Sequence, residues 1–368
     1  MSTSVTTSTP PADTPRAHAP GKIILSGEHS VVFGAPALAV AVAQYTEVWF
    51  KPIHRSEGLR TAFEQISQGE FYPLTLLKSF KQRLDRRFDQ FVRGELQVQN
   101  ILQRPDDLVI YTLASLMQRL PMPGVSSTHH LPVPGQLGSH SSLPLGAGMG
   151  SSAAVIAATF VLYEHLLNHV QTDEERFERV RLCERLQHGK GGAIDAASVV
   201  YGGLNRVDGD RISRPDISRE HGLWAGEGWY WVLHGVPASS TGECVMAVRK
   251  AHGTDNALWR DFTDCTNALQ SALESGSDPS QILKQNHLLL NRIGVVPAAT
   301  QGFVEGVNSA GGAAKICGAG SIRGEQGGVV LVHMQDHDAM EKLMSRYGNL
   351  RWARLRIAPQ GAAQGAAP

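Results

Sequence analysis

Four cysteines in 368 residues, none of them in a CxxC pair, leave little room for a disulfide scaffold or a structural zinc site. Cys183, Cys244, Cys265 and Cys317 are read as reduced thiols of a cytoplasmic protein. Charge of one sign is missing too. The 34 basic residues balance 34 acidic ones, so the composition calls for neither a nucleic acid nor an anionic membrane surface as partner. No long apolar run is present. The most hydrophobic helical stretch, Ala153 to Leu167, carries Glu164 and His165 and is too short to span a bilayer. Residues 1–19, MSTSVTTSTPPADTPRAHA, have no apolar core and little positive charge, so no signal peptide is readable there. This Ser/Thr/Pro tract and the tail 359–368, with its QGAAQGAAP, are expected to be disordered.

What the chain does have is glycine in telling places. Leu143 to Ala154 reads LPLGAGMGSSAA, a short apolar segment, three glycines (Gly146, Gly148, Gly150) and then the small-residue helix AAVIAATFVLYEHLL. Glycines there let the backbone take positive φ and approach a ligand with no Cβ in the way. The free N–H groups of the first helical turn, and the helix dipole, favour an anion in that loop. Ser151 and Ser152 can cap the helix or ligate a metal. The spacing fits neither GxxxxGK[ST] nor a Rossmann GxGxxG. A second Gly-rich stretch, KICGAGSIRG, lies far downstream.

Along the chain, order is expected from Pro20. Lys22 to Leu25 reads as a strand, as does ALAVAVAQYTEVWF, rich in Val, Ala and aromatics. SFKQRLDRRFDQFVRGEL has helical spacing, and its interleaved acids make it a solvated face rather than a nucleic-acid surface. What residues 51–104 cover stays open. DDLVIYTLASLMQRL reads as an amphipathic helix, and 121–142 as a loop holding the strand that feeds the glycines. A charged helix over Asp173–Gln187 has Thr172 or Asp173 as its cap. A DG hairpin follows near Asn205–Arg211, then the strand WYWVLHGV. Helices are expected over Thr241–Ala251, Ala257–Ser275, Pro279–Ile293, Pro297–Ala310 and His337–Ser345, with two strands flanking the second glycine stretch. The irregular order predicts an α+β protein of two lobes, 20–236 and 237–358.

Lys22, Glu184 and Asp195 could supply a cation, a metal-binding carboxylate and a base, the parts phosphoryl transfer needs beside a phosphate cradle. Each has a plain reading as well: Lys22 as a surface residue, Glu184 as one charge on a polar helix, Asp195 as a cap of AASVVYG. His165 and His169 stand i,i+4 with no third zinc ligand evident. Cys183 and Cys317 read as packing residues.

PGKIILSGEHSVVFGAPALAVAV, PLGAGMGSSAA and KICGAGSIRG, in that order, resemble the three motifs of the GHMP small-molecule kinases. GEHSVVFG after APGK is most similar to the mevalonate kinase branch. The resemblance covers about residues 19–335 and implies a two-lobed α+β fold: an N-terminal lobe of ribosomal-S5 type with a left-handed βαβ crossover, and a ferredoxin-like C-terminal lobe. It implies ATP and Mg²⁺ as cofactors and mevalonate as the small-molecule substrate. Gly146, Ala147, Gly148, Gly150, Ser151 and Ser152 would then wrap the ATP phosphates, with Gly318, Ala319 and Gly320 closing the site from the other lobe. Ser152 and Glu184 would hold Mg²⁺. Asp195 would take the proton of the acceptor hydroxyl, assisted by Lys22, and Glu28, His29 and Thr241 would lie in the acceptor site. A homodimer fits the family, though no residue pattern here specifies one.

Two stretches depart from the family pattern. HGKGGAID replaces HGxPSGxD, so Gly191-Gly192 are expected to be flexible. GAGSIRG replaces GAGGGG, and Arg323 is expected either to reach a phosphate or to pair with Glu325. Kinases with another acceptor (phosphomevalonate, another mevalonate hydroxyl, a sugar), a superfamily decarboxylase and a non-catalytic sensor remain as alternatives.

Overall fold

The computed structural model describes residues 13–53, 56–64, 66–117 and 134–368. Its first sheet is laid down by β1 (Arg16–Ser26), β2 (Ala37–Pro52), β3 (Gly58–Phe63), β4 (Ser67–Pro73), β5 (Gly135–Ser141), β6 (Leu204–Asp208) and β7 (Arg211–Ser213). The second consists of β8 (Trp229–Leu233), β9 (Ala313–Cys317), β10 (Val329–His333) and β11 (Arg351–Arg354), and β12 (Ala363–Gln364) returns to the first. The helices are α1 (Leu77–Val92), α2 (Asp107–Met117), α3 (Ser151–Leu166), α4 (Asp173–His188), α5 (Ala193–Tyr201), α6 (Gly222–Ala225), α7 (Thr241–His252), α8 (Asn256–Ser275), α9 (Ser280–Arg292), α10 (Ala298–Ser309) and α11 (His337–Arg346). The result is the α+β mixture expected.

The first sheet runs β12-β1-β2-β5-β3-β4, with β6 pairing β2 and β7. Only the β3–β5 pair in it is parallel among the described strands. The second runs β11-β8-β10-β9, antiparallel throughout, which is the ferredoxin-like order. One core joins the first sheet, α2–α5 and the facing side of the second sheet, including Trp229, Trp231 and Leu331. The other side of the second sheet packs on α7–α11 through Val232, Phe262 and Val330.

Helix α3 lies at the centre. Residues Ala153–Glu164 are all buried, as expected of a helix apolar on every side. Its alanines let it sit close against β1 and β2. Helix α4 opens with a full capping box, Thr172 accepting from Glu175 N and Glu175 accepting from Thr172 N. Helix α2 departs from the amphipathic reading: Asp107 to Leu116 are all buried, because α1, α3 and α4 surround it. Its expected end at Gln118–Leu120, and much of the loop before β5, lie outside the described residues. The region 51–104 supplies β3, β4 and α1.

Three expectations on boundaries are corrected. Strand β1 starts at Arg16, four residues before Pro20, because its edge pairs with β2 from Arg16↔Trp49 onward. WYWVL, placed by the sequence within the 20–236 lobe, forms β8 and pairs with β10 and β11 of the second sheet. The tail 359–368 is ordered in full. Ala358 N donates to Ala41 O at 2.9 Å, Ala362 N to Val199 O at 2.7 Å and Gly365 N to Arg16 O at 2.9 Å. A Cβ on Gly361 would stand 1.9 Å from the Val200 carbonyl oxygen, so only glycine fits where this strap crosses α5. No helix among the described residues is long and apolar enough to cross a membrane.

Candidate active site

Strand β5 delivers the chain into the first glycine loop, where Gly146, Gly148 and Gly150 have φ of +70°, +82° and +74°. Gly150 is the left-handed N-cap of α3, and no side chain caps that end. The first-turn N–H groups therefore remain available to an anion. The second glycine loop closes over the first. A Cβ built on Gly148 would lie 3.7 Å from Cys317 O, and one on Gly328 lies 3.5 Å from Ala147 O. The two glycine stretches, 170 residues apart in sequence, thus form one mouth.

At the last glycine stands the charged pair. Lys22 N donates to Met149 O at 2.9 Å, which fastens β1 to the loop. Lys22 Nζ lies 3.2 Å from Asp195 Oδ1, the lysine 5% exposed and the aspartate 29%. A Cβ on Gly150 would come within 3.0 Å of Lys22 Cγ and 3.3 Å of Asp195 Oδ1. Asp195 is the third residue of α5, whose N-cap is Gly192, so the helix dipole favours its carboxylate. The reading of Asp195 as a simple cap is thereby set aside.

Glu184, on α4, is buried, and its Oε1 has no hydrogen-bond partner among the described residues. Its Oε2 lies 3.4 Å from Nε2 of His188, one helical turn on. Burial opposes a charge on His188, yet Glu184 and, further off, Asp195 hold its pKa above the ordinary imidazole value. The Glu184 Oε1, buried and without a hydrogen-bond partner among the described residues, is the kind of oxygen ligand a hard cation such as Mg²⁺ takes. A cleft of about 380 Å³ opens on Gly146, Ser151 and Ser152, walled by Val98, Leu102, Pro105 and Leu108. That is what the end of the 51–104 region and the start of α2 provide.

On the other side of Lys22 the motif GEHS turns inward. Glu28 pairs with Lys315 of β9 in the interior, the side chains 1% and 0% exposed. His29 adopts a φ of +60°, and its Nε2 donates to Ala319 O at 3.0 Å, while its Nδ1 is buried without a partner. Burial holds the His29 pKa below the usual imidazole value. Thr241 is the first residue of α7 and exposed.

A family profile described as the GHMP kinases N terminal domain matches residues 107–203. The chain is 28% identical over 320 residues to mevalonate kinase of Pyrococcus abyssi, spanning 83% of this chain and 85% of the relative. It is 30% identical over 199 residues to mevalonate kinase of Thermococcus gammatolerans, a match that spans about half the length of each protein. The solved structure of Methanococcus jannaschii mevalonate kinase superposes with a TM-score of 0.76 at 17% identity, covering 95% of this chain and all of that one. Residues 107–203 thus match the GHMP kinase N-terminal domain, and most of the chain is similar to mevalonate kinases in sequence and fold. The relatives and the solved structure it matches here are all named as kinases.

Within this fold the two departures from pattern find their places. Gly191 packs against α4: a Cβ there would stand 2.0 Å from Arg181 O, so no larger residue fits without a shift. Arg323 pairs not with Glu325 but with Glu243 at 2.6 Å, the acid that also completes the Ser240 capping box of α7. Ser321 Oγ accepts from Ser239 N at 3.1 Å and ties the loop down. The bulk in GAGSIRG is thus spent on docking the loop to α7. Helix α3 ends at Leu166, so His169 is off the helix and the i,i+4 pair with His165 does not form. Burial pushes the Cys183 and Cys317 thiols up to about 11, which leaves both unreactive. Sequence reasoning missed Lys315 and His188. A lone lysine inside the apolar strand AAKIC, and a histidine four residues after Glu184, were the available signals.

Proposed function

We propose that this protein is a GHMP kinase and transfers the γ-phosphate of ATP to the C5 hydroxyl of mevalonate, a step of isoprenoid synthesis in the cytoplasm. The convergence of Gly150, Lys22 and Asp195 carries the chemistry. The GEHSVVFG motif and relatives named mevalonate kinase across most of the chain favour that acceptor. The three loop glycines, Ala147, Ser151 and Ser152 hold the phosphates, Gly318–Gly320 cover them, and the cleft beside α2 takes the nucleoside. Ser152 and Glu184 would hold Mg²⁺, which when bound would neutralise phosphate charge. Asp195 accepts the acceptor's hydroxyl proton as that oxygen bonds to phosphorus and the bond to ADP breaks. Lys22, beside it, stabilises the developing negative charge. His29 and Thr241 border the acceptor, and Glu28 stands behind His29.

The deciding experiment is ADP release from purified protein with Mg-ATP, with mevalonate, galactose, homoserine or 5-phosphomevalonate added. Stimulation by mevalonate alone, with 5-phosphomevalonate as product, is expected. Stimulation by another of the four moves the acceptor pocket and keeps the catalytic roles, and release of CO₂ would assign a decarboxylase. For Ser152→Ala and Glu184→Gln, the Mg²⁺ needed for half-maximal rate should rise about tenfold or more. Titration curves that coincide with wild type in both variants remove these residues from the metal site.

A further inference from the structure

Lys315 is the most deeply buried cation described, and no role above uses it. It comes from β9 of the second sheet and reaches into the first lobe, where Nζ meets Glu28 and donates to Ile24 O at 3.3 Å. The strand end it meets is held by further cross-lobe bonds: Ser26 Oγ lies 2.7 Å from Thr266 Oγ1, and Asn286 Nδ2 donates to Ser26 Oγ at 3.0 Å. Glu28 also feels the charge of Lys22, six residues earlier on β1, and Lys22 is the partner of Asp195. Four charges of alternating sign therefore run from the interior to the mouth: Lys315, Glu28, Lys22, Asp195. The remaining titratable groups around the pair are His29 beside Glu28, Cys317 on β9, Cys265 on α8 and His287 on α9.

A buried carboxylate needs a counter-charge. With Lys315 present, Glu28 has one of its own, and Lys22 is left to Asp195. Without it, an ionised Glu28 would draw on Lys22. We propose that Lys315 is a positioning residue: by neutralising Glu28 it keeps Lys22 committed to Asp195 and the transferring phosphate. The proposal rests on the roles given above to Lys22 and Asp195.

The test compares Lys315→Met with the neutral pair Glu28→Gln/Lys315→Met. Breaking a buried ion pair is far more costly than replacing both partners by uncharged groups. In Lys315→Met, Mg-ATP affinity should stay within about threefold of wild type while kcat at about pH 8 falls at least ~10-fold. The sign of the pH effect is specific. Once Lys315 is gone, burial raises the Glu28 pKa further, so at low pH Glu28 is protonated and leaves Lys22 alone. The ratio of variant to wild-type kcat should therefore decline between about pH 6 and pH 9, and in the double variant it should be flat and higher at the alkaline end. A flat ratio in Lys315→Met, or a double variant as slow as the single, overturns the proposal.

Urea unfolding needs no acceptor and separates the two readings. A group whose folded pKa is raised stabilises the fold at low pH and loses that contribution as pH rises through the folded value. Relative to wild type, the unfolding constant of Lys315→Met should grow ~10-fold or more from about pH 5 to pH 8, and that of the double variant should not. Equal growth in both overturns the charge compensation. A wild type inert toward every acceptor, with this unfolding pattern intact, sinks the mevalonate reading and leaves the pair standing.

Discussion

Asp195→Asn should bind Mg-ATP with near wild-type affinity and turn over about 10²-fold more slowly or worse, the range typical of losing a general base. The amide has the shape of the carboxylate and can still face Lys22 Nζ, now 3.2 Å from Oδ1, so the fold has little reason to change. What it cannot do is accept a proton. Nucleotide affinity should hold because the glycine loop and the cleft beside α2 do not depend on that carboxylate. Measuring kcat by coupled ADP release and nucleotide affinity by direct titration gives both halves of the expectation. A rate close to wild type would mean that transfer proceeds through a transition state loose enough to need no base.

Lys22→Met should be at least as damaging. The ammonium is 5% exposed and its backbone N–H is already committed to Met149 O, so the side chain has been left for the charge alone. Removing a preorganised donor aimed at developing negative charge costs about 10²–10³ in kcat. It also leaves Asp195 without its partner, so some loss of stability accompanies the kinetic effect. Because Lys22 and Asp195 act as one unit, the double variant should be no slower than the worse single one, within about threefold. Multiplicative losses would show that the two residues act on separate steps.

Local signals in the chain announced much of this structure. Thr172 with Glu175 three residues later gave the start of α4, and DG after Val207 gave the β6–β7 hairpin. The glycines before Ser151 gave the left-handed turns of the loop before α3, because positive φ is a demand on individual residues. Lys22 and Asp195, 173 positions apart, were brought together by resemblance to a family and not by any pattern within the chain. What stayed hidden depends on partners distant in sequence. The tail rich in Gly, Ala and Gln has the composition of a disordered end, and it is ordered because Ala41, Val199 and Arg16 offer it carbonyl oxygens. Arg323 could be matched by eye only to nearby Glu325, whereas its partner Glu243 lies eighty residues back on another element. Lys315 in AAKIC was one charge in an apolar strand, and only the crossing of the two lobes explains it. RWAR was passed over as a strand because its alternation is short and its ends are charged.

The strap that carries residues 355–365 from the second sheet back to β1 has a consequence for synthesis. Strand β1 is synthesised more than 330 residues before β12, the strand that closes its outer edge. Val42 and Ala43 likewise wait for Ile357 and Arg356. The first sheet therefore cannot be completed until residues 355–365 have been made, contrary to the usual N-to-C order of domains. During translation it must hold an open sheet edge, the kind of surface that pairs with other chains. Asp195 sits on α5, which the strap covers at Val199 and Val200, so the helix proposed to carry the base is fixed only after the strap arrives.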